Sequence, residues 1–358
     1  FSAYRRMVQY AKVQYGTMRR YALKQISELK HNGWVWQDGG LGDWVAPIGG
    51  TDPNVPYNEN ISEGAGITAT AMLYGVLEYM SHIAEALGKS ADMAEYRDAM
   101  RSVYDAFQTK FYKADKGYYQ TNYWNQIGTR TRYRQTDNLV PLVFGLVPEE
   151  CVKNVVQNLV KDIEEKGCHL DTGCVGTRYI LPVLCDYGHE DVAYKIVTQT
   201  TYPSWGWWVE NGATSTWEMW ESTTRSYDHY FLGTCDEWFY THLAGIQDVK
   251  NGYETFSVKP GFICDLSYVN TSIDTVRGRL SVTWRRNTGN TVNVSITVPF
   301  GSTAEILLPA AGQKDIILDG ENVSASMPGV KKIKKSEGQI LITVGSGDYS
   351  FATVTKSV

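Results

Sequence analysis

A glutamate between two tryptophans is the feature of this sequence best suited to chemistry. Glu218 lies in the sequence Trp-Glu-Met-Trp at 217–220, and His229 follows eleven residues later. Indole faces stack on the apolar faces of pyranose rings, and a carboxylate can move protons at an anomeric carbon. Segment 214–220 is too short and polar-aromatic for a helix interior, which predicts a loop at the mouth of a cavity. The competing interpretation is a surface glutamate beside core tryptophans.

Four more side chains are candidates for holding a sugar. Asp43 and Trp44 follow a run of glycines, which let a backbone approach a ligand closely. Asp43 would accept a hydrogen bond, while Trp44 and Trp220 would supply stacking faces. His229 would bond to sugar hydroxyls. The alternative for Asp43 and Trp44 is that their loop merely caps the next helix. The alternative for His229 and Trp220 is a position in the core.

Two other segments contain notable residue patterns but give weaker indications of function. Ser-Trp-Gly-Trp-Trp at 204–208 adds three indoles, of which one is expected to line the pocket while the others pack in the core. Thr-Gly-Cys-Val-Gly-Thr at 172–177 resembles a phosphate loop only superficially, because it lacks a lysine and a preceding strand. We therefore predict a tight turn between helices there.

Composition excludes several classes of function. Charged residues make up 20% of the 358 residues and the net charge is −5, which gives no electrostatic case for nucleic acid or an acidic membrane. The 11 Trp and 24 Tyr favour a carbohydrate site, although a tryptophan-rich helical core would give the same count. No stretch approaches the 18 apolar residues of a membrane span.

The cysteines and the known cofactor motifs give no further chemistry. Six Cys are scattered without a CxxC pair or Cys/His metal spacing, so we expect buried free thiols, no metal and no cofactor. The sequence leaves open whether the protein is a monomer or a homodimer, and whether it works in the cytoplasm or the periplasm.

The hydrophobic pattern changes near residue 248. Before it, apolar residues recur at three-to-four spacing, which predicts helices over 2–31, 63–87, 91–112, 135–146, 148–165, 176–187, 191–198 and 225–246. After it, alternating runs predict strands over 255–260, 278–284, 292–298, 304–308 and 339–344. The sequence thus predicts an α domain over 1–247, built from paired antiparallel helices, and a β-sandwich over 248–358. Constant repeats are not visible, which favours a closed α/α toroid over a solenoid.

Six motifs in order carry a resemblance to a known family. The sequence resembles the bacterial α-L-rhamnosidases of glycoside hydrolase family 78 over its whole length, through residues 42–47, 172–182, 201–206, 211–214, 217–220 and 228–230. The resemblance implies an (α/α)6-barrel, here partial with its N-terminal helices absent, followed by a C-terminal antiparallel β-sandwich. It also implies hydrolysis of terminal α-L-rhamnose from an oligosaccharide or plant glycoside, with inversion.

The resemblance also implies roles for individual residues. Inversion requires one carboxylic acid and one carboxylate base that activates water. The family's base falls on Glu218, and its sugar contacts fall on Trp44 and His229. The family's acid lies in an Asp-Arg-x-Glu-Arg-x-Gly-Trp motif that these 358 residues do not contain, so we expect a chain that begins inside the barrel, after the acid.

Two further points bear on the function. Asp228 stands where the family usually has Asn. The segment between Glu218 and His229 is also short, and because this segment shapes the sugar site, its length affects the preference for the group attached to rhamnose. The rival interpretations are another α/α-barrel carbohydrase, such as a glucoamylase-like hydrolase or a polysaccharide lyase, and a non-catalytic sugar-binding protein on the same fold.

Overall fold

Two compact units make up the chain, Phe1–Cys235 and Asp236–Val358. They are seen in a computed structural model that describes residues 2–36, 42–47, 65–121, 123–125, 128–130, 133–287, 290–310, 316–336 and 338–354. Within these ranges, none of the helices combines the length and the apolar character that crossing a bilayer requires.

The first unit is built from helices, most of which bury one side, whereas α4 is buried all round. Its helices are α1 Ser2–His31, α2 Ala65–Ala86, α3 Ser90–Phe111, α4 Gln135–Val143, α5 Glu149–Glu165, α6 Gly176–Asp186, α7 Glu190–Val197 and α8 Trp205–Glu210. The first seven confirm helices predicted from the sequence, with ends that differ by a few residues. Two short antiparallel hairpins are also present, β1 Tyr112–Lys113 with β2 Tyr118–Tyr119 and β3 Tyr123–Asn125 with β4 Gly128–Arg130.

Helix α5 shows why these segments begin and end where they do. Its buried residues Val155, Val156, Leu159 and Ile163 follow the helical period and form one apolar stripe. The helix stops before Gly167, which adopts a positive φ of 67°. Cys168 then donates its N–H to the Ile163 carbonyl at 2.8 Å, closing the helix end in the way that glycine permits.

Neighbouring helices pack as hairpins. Helix α2 lies along α3, where Arg97 donates to the Ser81 hydroxyl at 3.0 Å and to Glu85 at 3.1 Å. One buried cluster joins the first three helices, through Tyr15, Ala22, Ile26, Leu77, Met80, Ala84, Tyr96 and Ala99. Contacts of α1 with α2, of α4 with α5 and α6, and of α6 with α7 continue the pattern.

The predicted helix over 225–246 is wrong for its first ten residues. The structure has turns there, then a short helix α9, Cys235–Trp238, continued by a π-helix at Phe239–Leu243. The physical reason is that segment 226–229 exchanges backbone hydrogen bonds with segment 215–218, so those groups are not available to a helix. Helix α8 was not predicted, although Ser204 caps it by accepting the Trp207 N–H at 3.0 Å.

The second unit contains the strands. They are β5 Ile246–Lys250, β6 Thr255–Val258, β7 Tyr268–Thr275, β8 Gly278–Arg286, β9 Thr291–Val298, β10 Thr303–Pro309, β11 Ile317–Leu318, β12 Glu321–Asn322, β13 Val330–Ser336, β14 Gln339–Val344 and β15 Gly347–Val354. All five predicted strands are found. The predicted boundary lies at 247/248, whereas the two units divide at 235/236. The segment between these points includes most of α9 and the π-helix. In this segment the Leu243 carbonyl accepts a hydrogen bond from the Trp284 indole.

Two sheets face each other across one apolar core. One sheet has the order β13-β14-β10-β6-β5 and the other β12-β11-β15-β9-β8-β7, with antiparallel pairing throughout except between β6 and β10. Alternate residues of both sheets point into the core, among them Phe256, Ile306 and Ile342 from the first and Val282, Val294 and Phe351 from the second. At one edge, β13 exposes Lys331, Lys332, Lys334 and Lys335.

Replacing Trp284 should reveal how much the sandwich depends on this core. Trp284 is fully buried, stacks edge-to-face with Phe262 at 5.2 Å and donates its indole N–H to Leu243 at 2.9 Å. We expect Trp284→Ala to lower the free energy of unfolding by about 3–5 kcal/mol, since it leaves a cavity. Urea denaturation measures this loss. Val276→Ala, at a site 90% exposed, is the control and should change it by less than about 0.5 kcal/mol. Equal effects of both substitutions would contradict the expectation.

Candidate active site

Two segments of the chain pair beside the candidate glutamate. Glu218 donates its backbone N–H to the Ser226 carbonyl at 3.0 Å, and His229 donates its own to Thr216 at 2.8 Å. The Thr216 hydroxyl returns a hydrogen bond to the His229 carbonyl at 2.6 Å. The pairing fixes the backbone on both sides of Glu218 and brings the predicted base and the predicted sugar-binding histidine onto adjacent segments.

Glu218 also meets the predicted stacking residue, through an arginine. Its side chain is 15% exposed, and its Oε1 lies 3.4 Å from Nη2 of Arg225. The guanidinium carbon of Arg225 lies 5.8 Å from the ring centroid of Trp44. The structure therefore brings Glu218 and Trp44, which are far apart in the sequence, to one site.

The tryptophans on either side of Glu218 face inward. Trp220 stacks on Trp208 with centroids 4.8 Å apart, and Trp217 lies 5.7 Å from Trp208. Trp208 donates its indole N–H to the Trp220 carbonyl at 3.1 Å, and Trp220 donates its own to Thr172 at 2.8 Å. All three side chains are buried, so the indoles form a support beneath the Glu218 segment.

The expectation that Trp220 stacks on the sugar therefore needs correction. Its side chain has an exposed fraction of 0%, so it offers no face to a ligand in this structure. Among the three indoles at 204–208, Trp208 belongs to the same support, whereas Trp205 and Trp207 are half-buried. Trp205 donates its indole N–H to the Leu232 carbonyl at 2.7 Å.

Asp43 also has a different position from the one expected. Its carboxylate is 2% exposed and accepts four hydrogen bonds from the protein. Oδ2 accepts from the Thr136 hydroxyl at 2.5 Å and from Gly173 N–H at 2.7 Å, while Oδ1 accepts from Val175 and Gly176 N–H groups at 3.0 Å. All four donors come from the protein, so the geometry argues against direct sugar binding by Asp43.

The same contacts explain the turn at 172–177. Backbone N–H groups at the start of α6 point at an anion, as they would in a phosphate loop, but the anion is the Asp43 side chain. A Cβ on Gly173 would lie 2.2 Å from the Trp44 carbonyl oxygen, and Cys174 donates its N–H to that oxygen at 2.8 Å. Asp43 thereby connects α6 to the backbone of Trp44, and the predicted tight turn is confirmed.

Burial and hydrogen bonding act on Asp43 in opposite directions. Burial raises the pKa of Asp43, and the bonds from Gly173, Thr136 and Gly176 oppose that rise. The charge of Arg134 also lowers the pKa of Asp43, and this arginine forms a buried ion pair with Asp171 at 2.5 Å. Lys166 pairs with the other Asp171 oxygen at 3.0 Å and with Asp162 at 2.8 Å, so two cations and two carboxylates form one ion-pair network.

His229 is half-buried among aromatic rings. Its ring lies edge-on to Phe231 at 4.1 Å and parallel to Tyr230 at 5.7 Å. The Phe231 N–H points at His229 Nδ1 at 3.4 Å, which favours the tautomer with the proton on Nε2. An Nε2–H group suits donation to a sugar hydroxyl, and Tyr230, 77% exposed, extends the aromatic surface.

Three kinds of functional group lie at this site. Glu218 supplies a carboxylate, Trp44 an aromatic face and His229 a hydrogen-bond donor. Among the described residues, no group of three His, Cys, Asp or Glu side chains is placed to hold a metal ion. Sequence reasoning missed Arg225, because a single arginine in a polar segment carries no pattern. The constellation fits a protein that handles a sugar.

The helix hairpins of the first unit belong to a six-hairpin glycosidase domain. The chain belongs to the bacterial alpha-L-rhamnosidase family. Residues 7–243 match the family's 6 hairpin glycosidase domain, and residues 245–321 match its C-terminal domain. The predicted family and fold class, a helical barrel domain followed by an antiparallel sandwich, are confirmed.

Individual relatives agree with the family. An alpha-L-rhamnosidase of Formosa agariphila is 31% identical over 321 residues, which are 86% of this chain and 32% of the relative. The structure of alpha-L-rhamnosidase from Dictyoglumus thermophilum is 32% identical and superposes with a TM-score of 0.80, over 97% of this chain and 37% of that one. The structure of Streptomyces avermitilis alpha-L-rhamnosidase complexed with L-rhamnose is 27% identical. It superposes with a TM-score of 0.76, over 96% of this chain and 31% of that one. The chain thus spans about a third of the length of these relatives.

Replacing the Asp43 carboxylate by an amide should loosen the site. We expect Asp43→Asn to lower the free energy of unfolding by about 2–3 kcal/mol, since an amide N–H₂ would face two donors that now bind an oxygen. Urea denaturation checks this, with Asp115→Asn at an exposed turn as the matched control. Unchanged stability in Asp43→Asn would show that the four bonds contribute little.

Cys174 offers an independent measure of the same packing. All six cysteines are free, as predicted, but they are partly exposed, so the prediction that they are buried is wrong. Burial, helped by the charge of Asp43, raises the pKa of Cys174 from 9.0 to about 12. Because only the thiolate reacts, we expect alkylation by iodoacetamide at pH 8 to be about a thousandfold slower than in the urea-unfolded chain. Mass spectrometry of peptides containing Cys174 measures both rates, and similar rates would refute the prediction.

Proposed function

We propose that this chain contributes the base and the sugar-binding wall of an inverting α-L-rhamnosidase. In this mechanism the Glu218 carboxylate removes a proton from water as that water attacks the anomeric carbon. Trp44 stacks on the rhamnose ring, and His229 donates to a hydroxyl. Asp43 and Trp220 hold these groups in place without contacting the sugar.

The position of Glu218 carries the proposal. Its backbone is fixed by the pairing of 215–218 with 226–229, and its side chain is mostly buried yet still reaches solvent. A base must be held within about 3 Å of the water it activates, and a fixed backbone over a rigid indole support provides that precision. The family membership supports the choice of rhamnose as the sugar.

Inversion requires a second carboxyl as acid, roughly 6.5–9.5 Å from the base. In the family that the sequence resembles, that acid lies in a motif that these 358 residues do not contain. Because the chain spans about a third of its relatives' length, hydrolysis is a property proposed for the protein that carries this chain. The substrate is a terminal α-L-rhamnoside, either an oligosaccharide or a plant glycoside.

The two rivals make different predictions. A glucoamylase-like hydrolase or a polysaccharide lyase would act on other glycosides in a panel of p-nitrophenyl sugars, whereas a rhamnosidase should release only rhamnose. A sugar-binding protein without catalysis would release none. The comparisons favour the rhamnosidase, since the matched relatives carry that name.

Removing the base should strongly reduce turnover while leaving the affinity for the sugar nearly unchanged. We expect Glu218→Gln to reduce kcat on p-nitrophenyl α-L-rhamnoside by about 10²–10⁴-fold, because the amide cannot accept the proton. The affinity for L-rhamnose, measured by titration calorimetry, should stay within about threefold, since shape and most contacts persist. Glu210→Gln, an exposed glutamate at the end of α8, is the matched control and should retain full activity.

The stereochemistry and a rescue experiment complete this test. Proton NMR of the first product should show the anomer opposite to that of the substrate. Azide is already anionic and needs no base, so it should restore turnover in Glu218→Ala and yield a rhamnosyl azide. Full activity of Glu218→Gln would exclude Glu218 as the base and overturn the proposed mechanism.

A further inference from the structure

Arg225 contacts both the proposed base and the proposed stacking face. Its guanidinium carbon lies 5.8 Å from the Trp44 ring centroid, and its Nη2 lies 3.4 Å from the Glu218 carboxylate. One flat cation therefore spans the two groups between which a sugar would have to lie. Neither the sequence motifs nor the proposed mechanism gives this arginine a role.

The backbone around Arg225 is anchored. Tyr227 donates its hydroxyl to the Ser222 carbonyl at 2.8 Å, and the buried Thr224 hydroxyl donates to Ser226 at 3.1 Å. Ser226 also accepts the Glu218 N–H. The turn that carries Arg225 is thus held from both sides, and a change in the position of the guanidinium has to come from its side chain.

The side chain itself is held weakly. It is 60% exposed, and its contact with Glu218 is long for a charge-assisted hydrogen bond. Exposed ion pairs and exposed cation–π contacts are each weak, because water competes for the charge. Arg225 can therefore leave the indole at small cost while its backbone stays in place.

The geometry also shows which face of Trp44 is involved. Because the guanidinium carbon lies over the ring while Nη2 lies 3.4 Å from the carboxylate, the face beneath it is turned toward Glu218. A pyranose whose anomeric carbon must approach Glu218 would stack on that same face. A guanidinium and a pyranose cannot occupy it at once.

We propose that Arg225 closes the empty sugar site by lying on Trp44, and that rhamnose binds by displacing the guanidinium from the indole. The inference rests on the proposed function for the identity of the sugar. Arg225 is then a positioning residue: it covers an apolar face in the absence of substrate and restrains the Glu218 carboxylate.

Titration of L-rhamnose into the protein that carries this chain tests the displacement. We expect Arg225→Ala to bind L-rhamnose about two- to fivefold more tightly than the parent protein, since no cation has to leave the ring. Arg225→Lys keeps a cation over the indole and should bind like the parent. Arg285→Ala is the matched control, because Arg285 lies 5.1 Å from the Tyr268 ring in the other unit.

Kinetics separate this role from a purely structural one. In Arg225→Ala we expect a lower KM together with a lower kcat, because the sugar face is free but Glu218 loses its restraint. Damage to the fold would instead weaken binding and lower the melting temperature. Equal or weaker rhamnose binding by Arg225→Ala, with an unchanged melting temperature, overturns the displacement. Full activity of Glu218→Gln would reject the proposed function independently of that result.

Discussion

The buried carboxylate of Asp43 is the contact on which the site depends. Three backbone N–H groups and one hydroxyl converge on it, and they come from α4 and from the start of α6. Removing an anion from water is costly, and here the donors of a helix terminus compensate for that cost. Because Trp44 follows Asp43 directly, fixing one residue fixes the other. A buried charge thereby sets the position of the proposed stacking residue.

A second support lies beneath the proposed base. The stacked indoles of Trp208 and Trp220 each donate to a backbone carbonyl, so they orient the chain as well as filling space. Aromatic pairs combine a large buried area with a preferred geometry, which makes them stiff. The unusual tryptophan content thus has two uses in one site: Trp44 lies half-buried with the Arg225 guanidinium over its ring, while the tryptophans around Glu218 make its segment rigid.

Periodic and local features could be predicted from the sequence, whereas pairings between distant segments could not. Helix α5 and strand β9 follow apolar periods of 3.6 and 2, and glycines such as Gly167 mark the ends, so both were found. Segment 226–229, which pairs with 215–218, lacks an alternating pattern, and the sequence predicts it as part of a helix. Asp43 was recognised as important, but its donors lie about a hundred residues away, and only the fold reveals them. Arg225 carries no sequence signal at all.

The lysines of β13 have a consequence for how the sandwich behaves at high concentration. An edge strand presents unpaired N–H and C=O groups to any extended chain that approaches. Four lysines in five residues place mutually repelling, strongly hydrated charges along that edge. A second sandwich would have to strip water from these ammonium groups in order to add a strand. Charge repulsion and the hydration of the lysines therefore disfavour aggregation through this edge.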